Sequence, residues 1–103
     1  MSAPRDQDGL LAERIGLVLA LGEANAAHHR AQAGAGGAEI TVMMVEERLA
    51  ADPGPAQRAA LYDARAADAA AQTRLEAAAA RVRVLEERLA ALDGDLAATV
   101  SAR

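Results

Sequence analysis

A seven-residue repeat of apolar positions dominates the second half of the chain. With Leu61 as position a of a heptad, every a and d position from Leu75 to Leu96 is apolar, and this spacing forms a continuous seam between two packed helices. Most of the flanking e and g positions are charged. The pattern predicts a long helix over residues 56–100 with a coiled-coil seam. The largest side chains of that seam are Leu75, Val82, Leu85, Leu89, Leu92 and Leu96.

A second stripe runs along the first half of the chain at alternating steps of four and three residues. It consists of Leu11, Ile15, Val18, Gly22, Asn25, His29 and Gln32. Residues with this spacing share one face of a helix. If the chain folds back on itself, Leu11 lies opposite Leu96 and Val18 lies opposite Leu89. Because short connections favour antiparallel neighbours, we predict an all-α antiparallel helical hairpin in which this stripe faces the seam of the second arm.

Proline residues set the boundary between the two arms. Asp52-Pro53-Gly54-Pro55 is the strongest helix breaker in the sequence, because proline cannot continue a helix and restricts the residue before it. We therefore predict arms over residues 10–51 and 56–100, joined by a turn at 52–55. Together they form a single helical domain over residues 10–103.

Two other segments affect where the first arm begins and whether it is continuous. Residues 1–9 are polar and include a proline and a glycine, so we expect a flexible tail in which Asp8 is available as a helix cap. The cluster Gly34–Gly37 is a candidate break in the first arm, which would give three helices. The β-prone run 39–45 leads directly into a helix-favouring segment, so we expect helix there as well.

Two helices alone leave part of their apolar surface uncovered. In the predicted register the uncovered residues are Leu10, Leu17 and Leu21 beside the seam, and Met43, Met44 and Leu49 near the turn. An unpaired hairpin of this size is marginally stable, and large exposed apolar patches usually mark interfaces. We therefore expect a homo-oligomer that also binds another protein, through these residues and the large side chains of the seam.

Composition and charge argue against several kinds of functional site. The chain has no cysteine, which excludes disulfides, thiolate metal sites and a cysteine nucleophile. Its formal net charge is −4 and its arginines alternate with acidic residues, so we expect no direct nucleic-acid binding. The apolar stretch 15–21 is too short to span a membrane, and the first residues lack a signal-peptide pattern. These features predict a cytoplasmic protein without a membrane partner.

No cluster of residues has the spacing of a catalytic, cofactor or metal site. His28 and His29 are adjacent, whereas two metal-binding histidines on a helix are usually four residues apart. We expect seam or surface roles for them, with His29 in the seam. The segment 34–39 lacks the preceding strand and the lysine of a phosphate-binding loop. The carboxylates are spread along the arms without a neighbouring nucleophile. We therefore predict no enzyme activity, no cofactor and no metal.

These features favour a non-enzymatic helical interaction protein, such as an adaptor, a chaperone-like protein or an inhibitor, that self-associates through its coiled-coil hairpin. One alternative is an oligomeric phage packaging adaptor that resembles small terminase subunits. The sequence shows no helix-turn-helix with a basic face, the feature that reads DNA in many such adaptors.

A second alternative comes from the segment Leu11-Ala-Glu-Arg-Ile-Gly-Leu-Val18, which resembles the first helix of small all-helical chorismate mutases. The resemblance implies a helical enzyme that binds a dianionic substrate with several cations, one of them a lysine on this helix. The chain has no lysine, and Ala24-Asn25 stands near the corresponding place, so no site residue is carried over. An inter-subunit cavity lined by Arg14, Arg30 or Arg48 is the feature that would support this alternative.

Overall fold

The described part of the chain forms two long helices. The computed structural model describes residues 6–102, with α1 over Gln7–Ala51 and α2 over Pro55–Ser101. The two helices run antiparallel and pack against each other, and residues 6–102 contain no strand. The prediction of an all-α antiparallel hairpin is therefore confirmed, and the β-prone run 39–45 is helical as expected.

Helix α1 begins earlier than the sequence indicated. The backbone N–H of Gly9 donates a hydrogen bond of 2.7 Å to Oδ1 of Asp6, so Asp6 is the N-cap. Asp8 lies inside the first turn, where its negative charge stabilises the helix by interacting with the positive end of the helix dipole. The prediction of Asp8 as the cap is wrong by two residues. Residues 7–9 of the expected tail are helical, and residues 1–5 lie outside the described part of the chain.

The connection between the helices comprises residues 52–54, close to the predicted turn at 52–55. Pro55 is the first helical residue of α2, a position that suits proline because its missing N–H has no intrahelical partner there. The carbonyl of Gly54 accepts the first hydrogen bond of α2, from the N–H of Arg58 at 3.0 Å. Across the turn, Nε2 of Gln57 donates to Oδ2 of Asp52 at 3.3 Å.

Helix α1 continues without a break through the cluster Gly34–Gly37. None of the glycines within residues 6–102 has a positive φ. The alanine inside the cluster, Ala35, is buried at 3% exposure, and its contact with the rest of the hairpin holds the helix at this point. Packing of one helix face outweighs the poor helix propensity of glycine here. The three-helix alternative is therefore wrong.

Burial along α2 follows the heptad positions. All of its a and d positions from Leu61 to Thr99 are buried or half-buried, and Leu85 is only 2% exposed. The alanines at d positions 64 and 71 are buried as well. The half-buried Asp68 is the one charged residue among these seam positions.

The predicted seam of α1 is displaced by one residue. The seven residues of the predicted stripe are all exposed. The residues one position earlier are buried or half-buried, and they are Leu10, Arg14, Leu17, Leu21, Ala24, His28 and Ala31. The same heptad continues through Ala35, Ala38, Val42, Val45 and Leu49. Because neighbouring helical positions point about 100° apart, this shift exchanges a buried face for an exposed one.

The hairpin consists of two compact units. The terminal unit joins residues up to Ala26 with residues from Ala80 onward, and its seam consists mainly of leucines. The turn unit spans Ala27–Ala79. Its seam is rich in alanine, and its core cluster consists of Val45, Leu61 and Ala64, with Val42 and Leu49 packed against it.

Candidate interaction surfaces

An exposed apolar stripe runs along α1 in the terminal unit. It consists of Leu11, Ile15, Val18 and Leu19, which are 42%, 64%, 44% and 67% exposed, and we call it the α1 stripe. Glu13 and Arg14 lie at other positions of the heptad, so the helix face that carries the stripe has no charged residue between Asp8 and Glu23. The hairpin therefore presents an uncharged apolar surface to its surroundings.

Two glycines border the α1 stripe. A Cβ atom placed on Gly16 or Gly22 meets nothing within 4 Å apart from neighbouring backbone. The hairpin itself therefore does not require glycine at either position. Small residues at an exposed helix face leave room for a second helix to approach closely.

The interaction residues predicted from the sequence fall into two groups. Leu10, at 2% exposure, and Leu17 and Leu21, which are half-buried, belong to the hairpin seam. They do not form the uncovered surface that was expected. The seam residues of α2 are likewise buried or half-buried within the hairpin. Near the turn, Met43 and Met44 are exposed, whereas Leu49 packs against the core cluster.

A groove lies on the surface of the turn unit, where α1 and α2 meet. It encloses about 650 Å³ and is lined by Leu49, Arg58, Leu61, Tyr62, Arg65 and Ala66. Its floor is apolar, and Tyr62 at 77% exposure is the most exposed of the large hydrophobic side chains among the described residues. The sequence analysis did not identify Arg58, Tyr62 and Arg65. These residues follow one another at steps of four and three, which places them on one face of α2, and this spacing is visible in the sequence.

Two polar contacts mark the edge of the hairpin beside this groove. A nitrogen of the Arg65 guanidinium lies 3.6 Å from Oε1 of Glu46, and Nε2 of Gln72 donates to Oε1 of Glu39 at 3.1 Å. All four side chains are at e positions of their heptads. These contacts show that the e edges of α1 and α2 lie on the same side of the turn unit.

The terminal unit contains a shorter ion pair at its seam. Nε of Arg14 donates to Oδ1 of Asp93 at 2.7 Å. This hydrogen bond and the negative charge of Asp93 raise the pKa of the Arg14 guanidinium above its ordinary value. A groove of about 510 Å³ is also present in this unit, and it is lined by Glu13, Leu17, Arg88, Ala91, Leu92 and Asp95. Because Arg14 is held by a carboxylate of its own chain, it is a poor candidate for binding an anionic substrate.

The histidines lie side by side with ring centroids 6.2 Å apart. His28 is half-buried at a seam position and His29 is exposed, so the prediction that His29 faces the seam is wrong by one residue. Residues 6–102 contain no group of three or more His, Cys, Asp or Glu side chains that could hold a metal ion. Within the same residues, neither helix has a stretch long and apolar enough to cross a membrane.

Comparison with known proteins gives no relative for this chain. No family model, no curated protein and no solved structure matches it significantly. The exposed surfaces of the hairpin are therefore the features that indicate its function.

Proposed function

We propose that this protein is a non-enzymatic helical interaction protein of the cytoplasm that associates with itself and binds another protein. The observation that carries the proposal is the α1 stripe. Its four large apolar side chains are 42–67% exposed, and they lie on one uncharged helix face. Exposed apolar patches of this kind usually mark protein interfaces.

Burial of the α1 stripe supplies part of the free energy that specific binding requires. Complete burial of a Leu, Ile or Val side chain contributes about 1.5–3 kcal/mol. Covering four such side chains that are about half exposed contributes on the order of 5 kcal/mol. A micromolar complex needs about 8 kcal/mol, so the stripe supplies a large part of the required free energy. The partner surface that fits best is an amphipathic helix with apolar residues at steps of three and four.

Affinity capture with matched variants tests this proposal. The wild-type protein, Ile15→Glu and Ala33→Glu are immobilised separately and exposed to an extract of the source organism. Ile15 lies in the middle of the α1 stripe, whereas Ala33 is an exposed α1 residue outside it. We expect the wild type and Ala33→Glu to retain the same protein and Ile15→Glu to lose it, because a buried charge in the interface is strongly unfavourable.

Circular dichroism of the three proteins verifies that each remains helical. Equal retention by Ile15→Glu, or no protein retained by the wild type, would contradict partner binding through the α1 stripe.

A further inference from the structure

Helix α1 carries a continuous row of uncharged residues on the side that points away from α2. The row runs from Ala12 to Met43 at alternating steps of three and four residues, so its members share one side of the helix. We call this row the outer face of α1. All of its residues are exposed, and its four large apolar side chains, Ile15, Leu19, Ile40 and Met43, are 59–67% exposed. The other members are alanines, glycines and His29.

The equivalent row of α2 is different. It occupies the same heptad positions, b and f, and contains Glu76, Arg83 and Glu87, as is typical of a helix side that faces water. Packing within the hairpin does not account for the absence of charge on the outer face, because both rows point away from the seam. The outer face stays uncharged over about nine helical turns, a pattern that is typical of a second seam.

Two opposite charges flank the middle of the outer face. Glu23 and Arg30 lie on the same side of it, seven residues apart, and they are the only acidic residue and the only arginine of α1 between Arg14 and Glu39. Both are exposed, and neither forms an ion pair within residues 6–102. They are therefore available for contacts with another molecule.

We infer that the outer face binds the outer face of a second copy of this chain, with the two α1 helices antiparallel. This inference deepens the self-association included in the proposed function and rests on it. The two-fold axis lies between the helices, perpendicular to them, at the level of Ala26 and Ala27. Each side of the outer face then meets the same side of the second copy. Glu23 lies level with Arg30 of the second copy, and the symmetry repeats this contact, so two ion pairs form.

The apolar side chains fit together in the register that the charges set. At these levels Ile15 lies between Gly36 and Ile40 of the second copy, and Leu19 lies between Ala33 and Gly36 of the second copy. Each large side chain of the terminal unit thus meets small or aliphatic residues of the turn unit of the other copy. The same contacts occur twice, because the dimer is symmetric.

The polar residues of the interface are accommodated as well. On the side opposite the ion pairs, Asn25 lies between Asn25 and Gln32 of the second copy, and their amide groups can both donate and accept hydrogen bonds. His29 lies beside small residues near the axis. Asp8 and Glu47 approach each other only at the open ends of the interface, where solvent ions screen their repulsion.

The charges argue against other symmetric arrangements. A shift of the antiparallel register by one heptad puts Arg30 opposite its own copy in one direction and Glu23 opposite its own copy in the other, which is unfavourable. A parallel arrangement puts Glu23 level with Asn25 of the second copy and Arg30 level with Gln32. Both charges then lack an opposite charge, so the antiparallel register is the one that the charges favour.

The outer face is also large enough for a dimer interface. With the rows that flank it, it includes about 20 residues between positions 11 and 44, and specific interfaces use about 20–30 residues of each partner. The four residues of the α1 stripe alone would form a much smaller contact. Because Ile15 and Leu19 belong to both surfaces, another protein that binds the α1 stripe competes with the second copy.

Charge reversal at the two flanking positions tests this arrangement. Glu23→Arg leaves each copy with two arginines at these positions, and Arg30→Glu leaves each copy with two glutamates. In analytical ultracentrifugation up to about 100 µM we expect the wild type to dimerise and each variant to dimerise about tenfold more weakly. An equimolar mixture of the two variants should form a 1:1 dimer with the affinity of the wild type, since both ion pairs again join opposite charges.

Two matched controls separate this effect from a change in net charge. Glu76→Arg and Arg83→Glu reverse exposed residues of α2 that have the same order and the same seven-residue spacing as the tested pair. We expect both controls to dimerise like the wild type. Circular dichroism verifies that all variants remain helical, and none of these substitutions removes an ion pair found within residues 6–102.

The variant Ala33→Glu separates self-association from partner binding. Ala33 lies beside Leu19 of the second copy but outside the α1 stripe. We expect Ala33→Glu to be monomeric, because it puts a charge into the apolar interface, and still to retain the partner protein in the capture experiment. Ile15→Glu should lose both the dimer and the partner.

Three results would overturn the inference. They are a wild type that is monomeric at about 100 µM, a dimer that Ala33→Glu does not weaken, and a mixture of the two charge variants that associates no more strongly than either variant alone. A monomeric wild type would also remove self-association from the proposed function. Partner binding through the α1 stripe would stand if the wild type still retained a protein that Ile15→Glu loses.

A distance measurement tests the antiparallel arrangement with the wild-type charges in place. Because the chain has no cysteine, Thr41→Cys provides a single site for a spin label, at an exposed position of α1 outside the outer face. Position 41 lies about 14 residues from the two-fold axis, so double electron–electron resonance should give about 40–45 Å between the two labels. A parallel dimer would bring the labels to the same level, and the much shorter distance would contradict the arrangement.

Discussion

Leu10 and Leu11 are neighbours in the chain, yet they belong to two faces of α1 with different environments. Leu10 is 2% exposed in the hairpin seam, whereas Leu11 is 42% exposed on the α1 stripe. The same contrast separates the half-buried Leu17 from the exposed Val18. In the terminal unit both faces carry large apolar side chains, and the face of Leu10 also carries Arg14, so local hydrophobicity does not select the face that is buried.

Continuity along the helix distinguishes the two faces. Beyond residue 22, the face that contains Leu11 continues with Asn25, His29 and Gln32. The face that contains Leu10 continues with alanines and then with Val42 and Val45. Because α2 presents an apolar seam along most of its length, it packs against the face that carries apolar residues along the whole of α1, interrupted only by Arg14 and His28. The other face is left exposed over the terminal unit, where it forms the α1 stripe.

The largest effect is expected from truncation of a seam leucine in α2. Leu85→Ala removes a side chain that is 2% exposed and leaves a void, which typically costs about 2–5 kcal/mol. Its neighbour Val84 is 41% exposed, and Val84→Ala should cost less than about 1 kcal/mol. Urea denaturation of both variants measures the free energy of unfolding. Similar losses for the two variants would show that the buried face of α2 is misassigned.

A smaller effect is expected from enlargement of a seam alanine. Ala71 is 4% exposed in the turn unit, so Ala71→Leu overpacks the seam and should cost about 1–3 kcal/mol. Ala70 is exposed, and Ala70→Leu should change the free energy of unfolding by about 0.5 kcal/mol or less. Thermal unfolding compares the two variants. A stability of Ala71→Leu equal to that of the wild type would mean that the helices do not approach closely at this position.

The smallest effect, and one of opposite sign, is expected in the glycine cluster. A Cβ atom on Gly36 meets nothing within 4 Å, so Gly36→Ala should stabilise the protein by about 1 kcal/mol through helix propensity. The adjacent substitution Ala35→Gly, in the seam, should destabilise it by about 1 kcal/mol or more. Chemical denaturation of both variants tests the pair. Destabilisation by Gly36→Ala would indicate that α1 is not a regular helix there.

The sequence predicted the hairpin, its turn and the seam of α2, because these depend on strong local signals. The prolines at 53 and 55 interrupt the helix, and the heptad from Leu75 to Leu96 has one apolar face. The register of α1 was predicted wrongly because two neighbouring faces of residues 10–18 carry large apolar side chains that fit the repeat. The polar residues Asn25 and Gln32 argued against the chosen face.

The contacts between the helices of the turn unit could not be predicted for a related reason. Glu39, Glu46, Arg65 and Gln72 are visible in the sequence, but their location on one side of the hairpin depends on the correct register of α1. The contacts of Glu46 with Arg65 and of Glu39 with Gln72 supply that register in the structure. The effect of Ala35 in holding the glycine cluster helical likewise depends on packing between helices and not on local propensity.

The central claim is that α1 buries the face of Leu10 and exposes the face of Leu11. Substitution of these two adjacent leucines tests it most directly. Leu10→Glu and Leu11→Glu introduce the same charge at adjacent positions in the same helical turn, and circular dichroism follows their thermal unfolding. We expect Leu10→Glu to lower the melting temperature strongly, because the charge enters the seam, and Leu11→Glu to leave it close to that of the wild type. A larger loss of stability for Leu11→Glu than for Leu10→Glu would contradict the account.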